Sequence, residues 1–151
     1  MLRERFNEDL KTAMKARDQA AVSTLRMINS TLKDRDIAAR PRGVTQVDEA
    51  EIVDMLQKMV RQRQESIELY KQGGRQELVD KEQAEITLIE RYLPQKLSES
   101  EQADAIAKAI AETGASSVKD MGKVMAKLKE GYAGRMDFAK VGQAVKARLG
   151  G

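Results

Sequence analysis

Neither cysteine nor histidine occurs in the 151 residues, tryptophan is missing too, and three tyrosines with two phenylalanines make up the whole aromatic content. Without cysteine there is no disulfide, thiolate nucleophile or thiolate metal site. Without histidine the usual general base at neutral pH, the Ser-His and Cys-His nucleophile pairs and the commonest transition-metal ligand are gone as well. No catalytic residue, no metal site and no cofactor is expected. Apolar runs are short: none approaches the ~20 residues that cross a bilayer. Met1-Leu2-Arg3-Glu4-Arg5 opens without the apolar stretch of a signal peptide. No membrane partner is expected, and a cytoplasmic location is the simplest expectation.

What is abundant points to helices. Only two prolines interrupt a chain that is 41% apolar and 34% charged, rich in Ala, Leu, Lys, Glu, Arg and Gln. The reading is all-α, an N-terminal domain of about four helices (1–93), a linker (94–97) and a three-helix tail domain (98–151). The first helix, about Leu2 to Arg17, carries Leu2, Phe6, Leu10 and Ala13/Met14 as one stripe. Asp18 caps a second, which runs to about Ala39 and stops at Arg40-Pro41-Arg42-Gly43. Thr45 and Asp48 have capping-box spacing ahead of a long third helix whose stripe is Ile52, Met55/Leu56, Met59, Arg63, Ile67 and Tyr70, with Arg61 and Arg63 as polar interruptions. Gly73-Gly74 ends it. The fourth, Gln76 to Tyr92, stops at Pro94.

Ser98 and Glu101 form a full Ser-x-x-Glu box at the start of a fifth helix, with Ala103, Ile106/Ala107 and Ile110 inward, ending at Gly114. Ser117 caps the sixth, with Asp120 at its third position and Val118, Met121, Val124/Met125 and Leu128 as its apolar face. Asp137 caps the seventh, with Phe138, Val141, Val145 and Leu149 inward. Gly122 and Gly142 are small residues that would let a neighbouring helix approach.

Charge separates the two parts. Residues 1–93 hold 17 basic and 17 acidic side chains, and 94–151 hold 10 and 7. Within Ala115 to Gly151, eight basic groups face three acidic ones. Lys119, Lys123 and Lys127 recur every fourth residue and so share one helix face over about 12 Å. Lys140, Lys146 and Arg148 follow on the seventh helix, and Arg135 stands exposed on the turn between. Such a positive ridge suits a phosphate backbone, and the shortage of aromatic rings for stacking favours structured RNA over single strands. The competing reading is that lysines fill the solvent side of amphipathic helices. Methionines such as Met14, Met55, Met59, Met121 and Met125 are read as core filler, and the acid pair Glu82 and Glu85 as solvated helix surface. Gly131-Tyr132-Ala133-Gly134 lacks the spacing of a phosphate loop.

Three stretches together resemble a known family: RQRQESIELYKQGGRQEL (Arg61 to Leu78), YLP (Tyr92 to Pro94), and KDMGKVM (Lys119 to Met125) followed by Gly134 and Asp137. They are similar to the GatB/YqeY family, in its stand-alone YqeY-like form, over nearly the whole chain. The resemblance implies a helical tail like that of the GatB subunit of the glutamine-dependent aspartyl/glutamyl-tRNA amidotransferase, where the tail contacts tRNA, and a kinship with an appended domain of some glutaminyl-tRNA synthetases. Lys119, Asp120, Met121, Gly122, Lys123, Val124, Met125, Gly134 and Asp137 carry over as motif positions, several of them as fold determinants. The implied function is a tRNA-binding accessory protein, with an amidotransferase or aminoacyl-tRNA synthetase as partner. The alternatives are a protein-interaction module of that machinery without RNA contact, or a component with carbon-nitrogen ligase activity, glutamine being the amido donor, only in complex. A chain of this size leaves no room for the ATP-dependent module, so no amidation by the protein alone is expected.

Overall fold

The computed structural model describes residues 1–150; Gly151, the last residue of the expected tail, lies outside the described residues. All regular structure among them is helical, as the composition predicts, and the chain divides into two compact units, Met1–Leu93 and Pro94–Gly151.

The first unit holds α1 (Leu2–Lys15), α2 (Gln19–Ala39), α3 (Glu49–Gln72) and α4 (Gln76–Glu90). Between α1 and α2 the chain turns at Arg17, with φ of 57°, and Asp18 caps α2 by accepting the Ala21 N–H at 3.1 Å. Arg40–Arg42 forms a single 3-10 turn, closed by Gly43 at φ 77°. The cap of α3 differs from the expected one. Asp48 itself is the cap residue, its carboxylate accepting from Glu51 N–H at 2.9 Å, because the extended backbone at Asp48 leaves Thr45 too far upstream. The fourth helix also ends two residues early, at Glu90, and Tyr92 follows in a turn, where its ring is buried.

Phe6, Ile28, Leu56 and Ile89 are fully buried or nearly so, one from each helix, and define the core; each such side chain stabilises the fold by about 1.5–3 kcal/mol. Tyr92 packs onto α1. Its ring meets Phe6 edge-on at 4.9 Å, the Arg5 guanidinium lies 4.9 Å from its centroid, and its hydroxyl donates to Asp9. Burial, with the Asp9 carboxylate beside it, pushes the phenol well above its ordinary range. Nearer the start of α1, Arg3 forks onto Asp36 at 2.9 and 2.7 Å and reaches the Val47 carbonyl, while Asp36 accepts the Val47 N–H at 2.9 Å. That clamp seats the loop before α3 without a regular element.

Two expectations about surface are corrected in this unit. Met14 is exposed at 49%, since it lies one residue off the Phe6–Ala13 stripe. Glu82 and Glu85 are not solvated: they close over Arg63, whose side chain is only 9% exposed. The Arg63 Nε donates to Glu85 at 3.0 Å with Glu82 at 4.0 Å, and the other nitrogens donate to the Met59 carbonyl and the Met27 sulfur. The polar interruption in α3 is thus the centre of a buried ionic group joining α2, α3 and α4. One arginine serves two carboxylates, and the Glu82 carboxyl is pushed above its ordinary 4.5, first by burial and then by the charge of Glu85, with Arg63 and Lys81 opposing. An acid raised in this way destabilises the fold when ionised, above its folded pKa, and the penalty disappears below the unfolded value. Glu82→Gln is therefore expected to stabilise the protein by a few tenths of a kcal/mol at pH 7 and to make no difference near pH 4. Denaturant unfolding at the two pH values checks it; a loss of stability at pH 7 would contradict it.

The second unit contains α5 (Glu99–Thr113), α6 (Met121–Tyr132) and α7 (Phe138–Arg148). Ser98 and Glu101 exchange their reciprocal caps at 3.1 Å each, and Gly114 stops α5 at φ 66°. Ala105, Ile106, Ala109, Val124, Leu128, Val141 and Val145 form the core. Ala103 and Ile110 are only half-buried and Ala107 is exposed, so the inward face of α5 is rotated slightly from the expected one. The segment expected as a linker is hydrogen-bonded into this unit: Leu97 N–H donates to the Arg135 carbonyl at 3.1 Å, and Arg135 Nε donates to the Gln95 carbonyl at 3.0 Å.

Candidate nucleic-acid interface

The lysine row is set up at the junction before α6. Ser117 opens a 3-10 turn, Val118–Asp120, which runs directly into α6, so Lys119 lies in that turn and Lys123 and Lys127 in the helix proper. Asp120 anchors the start by accepting the N–H groups of Ser116 at 3.0 Å and Ser117 at 3.4 Å. Those backbone donors hold its carboxyl below the ordinary carboxylate value. An exposed Val118 corrects the expectation that it packs inward.

At about 100° per residue, Met121 and Met125 lie on one side of the buried Val124–Leu128 line, and Lys119, Lys123 and Lys127 on the other. The methionine side faces α7. A Cβ added at Gly142 would meet Met121 Cε at 3.4 Å and Met125 Cε at 3.8 Å, so Gly142 is the point of close approach. Gly122, expected to do the same, has nothing among the described residues within 4 Å of such a Cβ, being on the outer face of α6. The lysine side faces α5, where Lys127 meets Glu112 at 3.3 Å and Lys108 meets the same carboxylate at 3.8 Å. Between α5 and α6 runs an open groove of about 230 Å³, floored by Ala105, Ala109, Leu128 and Tyr132 and walled by Lys108, Glu112 and Lys127.

All three lysines of the row are exposed, as are Lys140, Lys146 and Arg148 on α7. They do not form one ridge. On α7, Gly142 marks the α6 side, and Lys140 lies about 200° from it around the helix, turned away from the α6 row. Lys146 and Arg148 fill the last turn, where positive charge complements the helix dipole. Arg135, expected to be exposed, is half-buried and bound to Gln95.

The other motif positions serve the fold. Val124 is fully buried, Met121 and Met125 pack around Gly142, Gly134 is buried at φ 81°, and Asp137 caps α7 by accepting the Ala139 N–H at 3.1 Å. Glu112 is the residue that sequence reasoning missed. Its spacing from Lys108 is visible in the chain, but its contact with Lys127 crosses two helices. Among the described residues no group of three or more acidic side chains could hold a metal ion, and no helix is long and apolar enough to cross a membrane.

The fold defines a class: an all-helical protein of two units, the second a three-helix body with a lysine-edged groove. Residues 3–149 match the family described as Yqey-like protein, and the chain belongs to that family. Relatives carry the name "Altered inheritance of mitochondria protein 41, mitochondrial". The one from Eremothecium gossypii is 38% identical over 88 residues, 58% of this chain and 46% of that protein. The one from Lachancea thermotolerans is 36% identical over 90 residues, 60% and 46% of the two. That from Saccharomyces cerevisiae strain YJM789 is 36% identical over 87 residues, 58% and 45%. The chain spans less than half the length of these relatives. Their names overturn the expectation of a cytoplasmic location. The physical reason is that the lack of an apolar signal stretch bears on secretion alone, whereas mitochondrial transit segments are amphipathic and arginine-rich.

Proposed function

We propose that the protein is a tRNA-binding accessory factor whose C-terminal unit grips phosphates through exposed lysines, while the N-terminal unit engages a protein of the tRNA-charging or amidation machinery. The observation that carries this reading is the lysine row beginning at a capped turn: Lys119 and Lys123 are exposed, and among the described residues neither has an ion-pair partner. The groove beside the row has one tyrosine to offer a base, which favours recognition by shape and phosphate contacts. The resemblance of the tail to that of an amidotransferase subunit supports tRNA as the polyanion, and the name borne by the relatives makes an organellar tRNA pool the first to try.

Binding to a tRNA pool titrated with salt tests the reading. With about three phosphates neutralised, log affinity is expected to fall with a slope near ~3 against log salt. Replacing Lys119 and Lys123 together by glutamine is expected to flatten that slope by about 2 and to weaken binding at low salt at least tenfold. Binding unchanged by the double replacement would refute the reading.

A further inference from the structure

The row of lysines on α6 is not uniform. Among the described residues its first two members have no carboxylate partner apart from the field of Asp120, whose oxygen is taken up by the Ser116 and Ser117 N–H groups. The third, Lys127, is bridged to Glu112, and the same carboxylate also holds Lys108. One acid of α5 therefore ties Lys127 across the α5/α6 groove and Lys108 along its own helix, at the end of the row away from the cap.

Resting on the RNA reading above, we propose that Glu112 is a built-in competitor for phosphate that restricts RNA contact to the start of α6. A phosphate approaching Lys127 must displace the carboxylate and meets its negative charge while doing so. One approaching Lys123 has no carboxylate to displace and meets only the charge of Asp120, which the Ser116 and Ser117 N–H groups already hold. The footprint on the C-terminal unit then begins at Lys119 and Lys123 and stops before the groove. Glu112 also sets affinity, since its removal liberates Lys108 and Lys127 as two further phosphate contacts. The three groups are near the surface, with side chains 40% exposed for Glu112, 48% for Lys127 and 69% for Lys108. A surface ion pair of this kind is weak enough for the change to leave folding intact.

The experiment compares salt-titrated tRNA binding by the full chain with Glu112→Gln, Lys123→Gln, Lys127→Gln, and Glu112→Gln combined with Lys108→Gln and Lys127→Gln. Glu112→Gln is expected to bind several-fold tighter at low salt, with a slope steeper by about 1–2. Lys123→Gln is expected to weaken binding several-fold and Lys127→Gln hardly at all. The gain from Glu112→Gln should vanish when both lysines are replaced with it. If the parent protein binds and Glu112→Gln matches it in affinity and slope, the proposal about Glu112 is overturned and the RNA reading stands. A gain that persists without the two lysines is a general charge effect and also overturns the proposal. Should neither the parent nor Glu112→Gln bind at low salt, the RNA reading itself fails and takes the proposal with it. Unchanged circular dichroism of each variant confirms that binding is compared between folded proteins.

Discussion

Arg63→Ala is expected to destabilise the N-terminal unit by about 3 kcal/mol. Two effects add. The aliphatic stem of Arg63 lies in the core, and its removal leaves a gap between α2, α3 and α4. More important, Glu85 is only 12% exposed and Glu82 19%; without the guanidinium they face each other as two carboxylates of like charge, with only the weaker field of Lys81 to offset Glu82. Breaking a buried pair from one side costs about 3–5 kcal/mol, and the partial exposure of the glutamates favours the lower end. For a unit of this size that lowers the thermal midpoint by more than about 10 °C. Removing the whole group at once, as Arg63→Met with Glu82→Gln and Glu85→Gln, is expected to recover most of the loss, because no unpaired charge remains. Thermal unfolding of the two variants decides the matter. An Arg63→Ala midpoint within about 2 °C of the parent would show that the ionic group contributes nothing.

Leu128→Ala is the second large effect, and it is local. Leu128 is fully buried, and it forms the core of the C-terminal unit with Ile106, Val124, Val141 and Val145. Truncating such a leucine costs about 2–5 kcal/mol. A unit of fewer than about 60 residues has little stability in reserve, so the substitution is expected to unfold the tail at room temperature. Hydrogen exchange should then show loss of protection over α5, α6 and α7 with α1 to α4 still protected, and tRNA affinity should drop together with that protection. Leu128→Met, which keeps the volume, is expected to cost less than ~1.5 kcal/mol. Loss of protection throughout the chain would show that the units do not fold independently.

Helix positions were legible where a local device announced them. Asp18, the Ser98–Glu101 box, Asp137 and the glycines at 73–74 and 114 each act within a few residues, so spacing alone reveals them. The Thr45–Asp48 box failed because the same spacing served a chain that turns elsewhere. Arg63 stood on the readable stripe of α3, but its carboxylate partners were invisible for a different reason. Its partners Glu85 and Glu82 lie 22 and 19 positions away, and a glutamate facing a buried arginine has the same helical period as one facing water. The lysine row illustrates both limits: its periodicity was readable, whereas the tether from Lys127 to Glu112 depends on which flank of α6 meets α5. Gly142 and Gly122 were alike in sequence, and only the rotation of α6 and α7 distinguishes the contact from the exposed position.

The hydrogen bonds of Arg135 with Gln95 and Leu97 also determine where the C-terminal unit can be cut free. A fragment begun at Ser98 retains the α5 cap but discards both partners of Arg135, leaving the turn into α7 unpinned. One begun at Pro94 keeps them. For limited proteolysis this means that cleavage on the carboxyl side of Lys96 should loosen the turn at Asp137, far downstream in the chain, although every helix remains uncut.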